Sequence, residues 1–155
     1  MLLRLYTQGF RCPPDQASLI ELTYFALSVM TFSYLRLSKD DDREDVLDEP
    51  ALEVLKARLP QCRERLELRD AVRQYQRRYQ EYNALIEPIV SSQQPKLDPR
   101  TTLGLHFYEC PMRSPPDGET MLRIATTGAE LLGQFLVDHA DYVRVLNGDG
   151  PVPRR

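Results

Sequence analysis

Residues 102–126 read TLGLHFYECPMRSPPDGETMLRIAT. In the first arm Leu103, Leu105 and Phe107 fall on one side, with His106 and Tyr108 on the other. In the second arm, Thr120–Thr126, Leu122 and Ile124 alternate with polar or small residues. Between the arms lies SPPDGE, Ser114–Glu119, with Pro-Asp-Gly turn chemistry. A repeat of two flanking such a turn predicts a β-hairpin.

Working outward, SSQQPKLDPR at Ser91–Arg100 has the composition of a linker, placed at 91–101. LLRLYT, Leu2–Thr7, alternates weakly and predicts a strand that can pair with the hairpin, ended by Gly9, Pro13 and Pro14. Beyond the hairpin, Thr127 and Glu130 have capping-box spacing and predict a helix start. Leu132, Phe135, Leu136, His139, Tyr142, Val143 and Leu146 then share one helical face. Asn147 and Gly148 stop it. A mobile tail is expected over 147–155.

The region before the linker reads as helices. From Ala17 to Leu37 apolar residues occupy every side, with only a thin polar edge at Glu21, Ser28 and Thr31. Such a helix is either central to a core or covered on one side by a second subunit. An acidic loop follows at Lys39–Glu49, with net charge −5. Pro50 suits a first helical turn capped by Asp48 or Glu49, with Leu52, Leu55 and Leu59 as the apolar edge. Pro60 interrupts it. From Gln61 to Glu87 no breaker occurs, so one helix about 40 Å long is expected. Its seam is Val72, Tyr75, Tyr79, Tyr82, Ile86 and Ile89.

Together these segments predict a single α+β domain over residues 1–150. It has three or four helices, one very long, packed with a small antiparallel sheet containing a C-terminal β-hairpin. Residues 1–90 form its N-terminal strand and helical part, and 102–146 the hairpin plus the C-terminal helix. A chain of 155 residues is long enough to bury a core without covalent staples.

Bulk composition removes several functions. A net charge of −3 does not mark a polyanion binder overall. Arginine outnumbers lysine 17 to 3, which reads mainly as a coding-composition effect. Cys12, Cys62 and Cys110 are odd in number and form no CxxC, against a disulfide framework or cysteine zinc site. A reducing cytoplasm is the simplest compartment. The start, MLLRLYTQGF, lacks the make-up of a signal peptide. The uncharged run Leu22–Leu35 is 14 residues, short of the roughly 20 a spanning helix needs, so no membrane is expected. No phosphate-cradling glycine loop, GxSxG or HExxH is present, so no cofactor is expected.

Two features invite a functional reading. Arg65, Arg69, Arg73 and Arg77 recur every four residues and form a ridge, with Arg78 beside it. Like charges at that spacing repel, so the ridge gains from something negative nearby. Candidates are the chain's own acidic loop, a protein partner or subunit, and nucleic acid phosphate. Tyr75, Tyr79 and Tyr82 would suit base stacking, but they lie on the seam rather than the ridge. Tyrosine with arginine is also interface composition. His139 sits beside Asp138 and Asp141 in sequence and is a candidate acid/base; its neighbours point away from its face, which favours a hydrogen-bonded, partly buried histidine. The acidic run lacks calcium-loop spacing, so no metal ligand is assigned.

The leading expectation is a non-enzymatic, cytoplasmic interaction protein, an oligomer or an accessory or inhibitory subunit of a larger assembly. The composition resembles that of small phage or mobile-element proteins. The candidate interface is Arg65, Arg69, Arg73, Arg77, Arg78, Tyr75, Tyr79 and Tyr82. The alternative is a nucleic-acid-binding accessory subunit using the arginine ridge, and the third reading a small enzyme built on His139.

Overall fold

The computed structural model describes residues 2–11, 14, 18–37, 45–63, 65–94, 98–109 and 116–148. These form α1 (Leu2–Phe10), α2 (Leu19–Leu37), α3 (Asp45–Arg58), α4 (Leu68–Val90), α5 (Pro99–Glu109) and α6 (Gly118–Leu146), with a 3-10 turn at Leu59–Gln61. Among the described residues there is no strand. The expected α+β fold with its antiparallel sheet is therefore incorrect; the architecture is all-helical.

The hairpin fails for a physical reason that its own residues supply. Leu103 and Phe107 are buried, but so are Gly104 and Tyr108. Burial at i, i+1, i+4 and i+5 is a helical face, and the alternation of Leu103, Leu105 and Phe107 is only a subset of it. Each of the expected turn and linker stretches holds a helix start among its described residues. Asp98, followed by Pro99 at the first helical position, accepts hydrogen bonds from the Thr101 backbone N–H (3.2 Å) and hydroxyl. The Thr101 hydroxyl, helped by Arg100, holds its carboxyl at about 2. Asp117 caps α6 by accepting from the Thr120 N–H at 2.7 Å. Aspartate suits turns and N-caps for the same reason, a short acceptor near free backbone donors.

The helices then approach closely. A Cβ added at Gly104 would overlap the Ile124 carbonyl, and one at Gly128 would overlap the Arg100 carbonyl. The α5–α6 crossing is thus backbone against backbone at two glycines. Thr127 is no cap: it is buried mid-α6, where Gly9 of α1 packs against its side chain. The expected N-terminal strand is α1, whose buried Tyr6 and Phe10 are four residues apart.

Two other boundaries shift. The expected 61–87 helix starts only at Leu68 and runs through Pro88 to Val90, about 35 Å. The longest helix is α6, with 29 residues. Helix α3 begins upstream of Pro50, which lies inside it. Residues 39–44 of the acidic loop and 149–155 of the expected tail lie outside the described residues, as do Cys12 and Cys110.

The main core gathers Phe25 and Phe32 of α2, Tyr82 and Ile86 of α4, Phe107 of α5 and Phe135 of α6. The Phe25 ring meets Tyr82, Phe107 and Phe135 edge-on at 5.5–5.6 Å, a favoured aromatic geometry. A second cluster joins Ile20, Tyr24 and Leu27 of α2 to Ala51 and Leu55 of α3 and Tyr75 of α4. Tyr79 packs against both. Helix α2 is common to the two clusters.

Candidate functional site

The site follows from how α2 distributes its apolar surface. Leu22, Phe25, Val29 and Phe32 form one face, buried in the main core. Ile20, Tyr24 and Leu27 form a second, buried in the other cluster. A third row, Leu19, Thr23, Ala26 and Met30, has spacing 4-3-4 and is left as the floor of a groove of about 710 Å³. One wall is α6, through Asp138, Asp141, Tyr142 and Val145. The other is α3 and the turn after it, through Val54, Arg58, Gln61 and Cys62. Leu2 and Leu3 of α1 also line it.

Exposed large apolar side chains concentrate here. Of the six among the described residues, Leu3, Met30, Tyr142 and Val145 line the groove, with Val145 51% exposed. Scattered single exposures are ordinary, but a contiguous set in a concavity marks a binding surface. The walls differ in sign: two carboxylates on α6, one guanidinium on α3. Asp138 also accepts from Gln134 at 2.7 Å.

The arginine ridge is only partly as expected. Arg69, Arg73 and Arg77 lie exposed along α4, and Arg65 lies exposed before its start. Arg77 pairs with Glu81 at 3.5 Å. Arg78 points elsewhere, into a largely buried network. Its Nε lies 2.9 Å from Oε1 of Glu21 and its Nη1 2.7 Å from Oε2 of Glu81. Tyr82 donates to the same Glu21 oxygen. Arg78 Nη1 also donates to Nδ1 of His106 at 3.0 Å, which leaves the His106 proton on Nε2. Burial works against the Arg78 charge, but Glu21 and Glu81 outweigh it and raise its pKa.

The tyrosines sit inside. Tyr75 and Tyr82 are buried and Tyr79 is partly buried. The Tyr75 hydroxyl lies 2.6 Å from the Thr31 hydroxyl. Glu21, Ser28 and Thr31, the thin polar edge of α2, are all buried. The structure therefore separates the eight candidate interface residues: exposed arginines on one side of α4, tyrosines and Arg78 on the other. No tyrosine of the seam stands beside Arg69, Arg73 and Arg77 as a stacking platform.

His139 is half-buried in a tight setting. Ser33 donates its hydroxyl hydrogen to the Val29 carbonyl at 2.7 Å, so Nδ1–H of His139 donates to Ser33 at 2.8 Å. Its ring meets Phe32 edge-on at 5.2 Å. Burial lowers its pKa, nearby Arg36 adds to this, and Glu87 partly offsets it. Arg36 is held by Glu87, with Nη1 2.9 Å from both carboxylate oxygens.

Among the described residues, no group of three or more His, Cys, Asp or Glu is arranged to hold a metal ion. No described helix is long and apolar enough to cross a membrane. Comparison with protein-family models, curated proteins and solved structures gave no match.

Sequence reasoning missed the groove and the Glu21–Arg78 network. The signal for the groove was present: α2 is apolar on more sides than the other described residues bury. The network had no local signal, because its partners are 57 residues apart.

Proposed function

We propose that this is a non-enzymatic protein–protein interaction protein, an accessory or inhibitory subunit of a larger assembly, whose binding surface is the groove on α2. One observation carries the reading. The third face of a central, all-round apolar helix opens into a concavity lined by Leu3, Met30, Tyr142 and Val145, all exposed. Burying apolar area there contributes roughly 25 cal/mol per Å². The polar residues the sequence singled out fit a structural role better. Arg78, Glu21 and Tyr82 satisfy one another in the interior, and His139 is fixed by Ser33 and Phe32.

The test compares proteins recovered from native extract by the wild-type chain and by a Met30→Glu, Val145→Glu variant. Both side chains are exposed, so the variant is expected to fold. A single identified protein, held in constant ratio by the wild type and lost by the variant, supports the proposal. The same recovery by both removes the groove from the interaction.

A further inference from the structure

We infer that the outer face of α6 is a self-association surface, on which a second copy of this chain lays its own α6 antiparallel about Val137. The residues that form this face, Glu130, Gly133, Val137, Ala140 and Arg144, do not line the groove, so the two surfaces are separate. Two features of the face support a second copy as its occupant.

The first is apolar exposure. Of the six exposed large apolar side chains among the described residues, the two outside the groove are Leu122 and Val137, 68% and 54% exposed, and both lie on α6. Around Val137 the residues Glu130, Gly133, Val137, Ala140 and Arg144 follow 3-4-3-4 spacing, and all are exposed. That spacing is the seam along which two helices pack. Its middle is apolar or small and its two ends are charged. Nothing lies within 4 Å of a Cβ added at Gly133, so the space over that turn is open to a neighbouring helix.

The second is charge, which selects the partner and its direction. Glu130 and Arg144 each stand seven residues from Val137, on the same face and about 10.5 Å to either side of it. Among the described residues, neither side chain has an ion pair or a hydrogen bond. An antiparallel copy crossing at Val137 sets Glu130 of each chain opposite Arg144 of the other, which makes two ion pairs from one surface. A parallel copy sets Glu130 against Glu130 and Arg144 against Arg144. Moving the antiparallel crossing one turn back, to between Gly133 and Gln134, sets Arg123 against Arg144. Of these arrangements, the antiparallel one about Val137 matches opposite charges, and charge matching fixes register and orientation. A face complementary to itself about a two-fold axis is what a symmetric dimer requires. From Glu130 to Arg144 the seam runs about 21 Å, short for an interface, so the dimer is weak and forms at high concentration.

Sedimentation equilibrium of the full chain, from micromolar to millimolar concentration, tests this. The wild type is expected to pass from monomer to dimer. Glu130→Arg sets like charges opposite each other at both ends of the seam, and so does Arg144→Glu. Each is expected to weaken dimerisation at least about tenfold. An equimolar mixture of these two variants restores opposite charges at both ends and is expected to dimerise at least as tightly as the wild type. The same holds for Glu130→Arg with Arg144→Glu in one chain. Val137→Lys is expected to abolish the dimer, and circular dichroism checks that each variant is folded. A wild type that stays monomeric throughout overturns the inference. A dimer that the single charge variants leave unchanged overturns α6 as its surface. Loss in the folded single variants with no recovery in the mixture overturns the antiparallel arrangement about Val137. Each of these failures leaves the groove untouched, because the capture experiment with Met30→Glu and Val145→Glu reads that surface separately.

Discussion

Gly104→Ala should destabilise the protein, although alanine is the better helix former. In an open helix the change gains about 1 kcal/mol. At Gly104 the new Cβ would overlap the Ile124 carbonyl oxygen and lie 2.8 Å from its carbonyl carbon. Both are backbone atoms of α6 and cannot rotate away. Ordinary contact begins at 3.4 Å, so the carbonyl carbon alone requires the two helices to part by 0.6 Å at the crossing, and the nearer oxygen requires more. A gap of that order forfeits roughly a quarter of each nearby dispersion contact. Overpacking in a core costs about 1–3 kcal/mol. Backbone-limited relief puts this site at the upper end, for a net loss of about 2 kcal/mol after the helix gain. Gly133→Ala is the control: it lies on α6 with nothing within 4 Å of its would-be Cβ, and should be neutral or up to about 1 kcal/mol stabilising. Urea unfolding of the three proteins decides it, read as midpoint shifts at constant slope. If Gly104→Ala is as stable as Gly133→Ala, α5 and α6 do not cross here and the packing described above is wrong.

Three further outcomes are expected. Glu21→Ala leaves Arg78 charged and largely buried with only Glu81 opposite; removing one partner of a buried pair costs about 3 kcal/mol, while Glu21→Leu with Arg78→Met together should cost less than half of that in urea unfolding. His139 has its pKa lowered in the folded state, so the unfolded chain binds the proton more readily; stability is full above about pH 6.5, falls as pH drops through the lower folded value, and this dependence shrinks in His139→Gln, as thermal melts from about pH 8 to about pH 5 should show. Arg69→Ala, Arg73→Ala and Arg77→Ala combined should leave both fold and capture of the groove's partner unchanged; loss of a salt-sensitive nucleic-acid complex in that variant would favour the ridge as the working surface instead.

Legibility in the sequence followed from how local each cause is. Helix α2 was legible almost to the residue, expected at Ala17–Leu37 and observed at Leu19–Leu37, because apolarity on all sides has one structural meaning at that length. The burial of Tyr75, Tyr82 and Ile86 followed from their 3-4 spacing. The end of α6 at Asn147 and Gly148 was readable because Gly148 adopts a φ of 83° that other residues avoid. The hairpin was misread because three alternating apolar residues in a short segment fit a strand or half of a helical face equally. What separates them is Gly104, whose role is a close approach to Ile124, and no local pattern announces a tertiary contact. The same holds for Glu21. In sequence it is part of a thin polar edge; in the fold its carboxylate is matched by Arg78 and Tyr82 from α4. The groove is the face of α2 left over among the described residues, so it became visible only once the other faces had been assigned.

The most direct measurement uses the methionine methyl groups as reporters. Met30 stands in the groove, and Met121 packs against the main core and is not among the groove's lining residues. In a protein labelled with ¹³C at the methionine methyls, adding the partner recovered by the wild-type chain should shift the Met30 resonance in proportion to occupancy and leave Met121 in place. A partner that binds while Met30 stays fixed would contradict the groove as the surface through which this protein works.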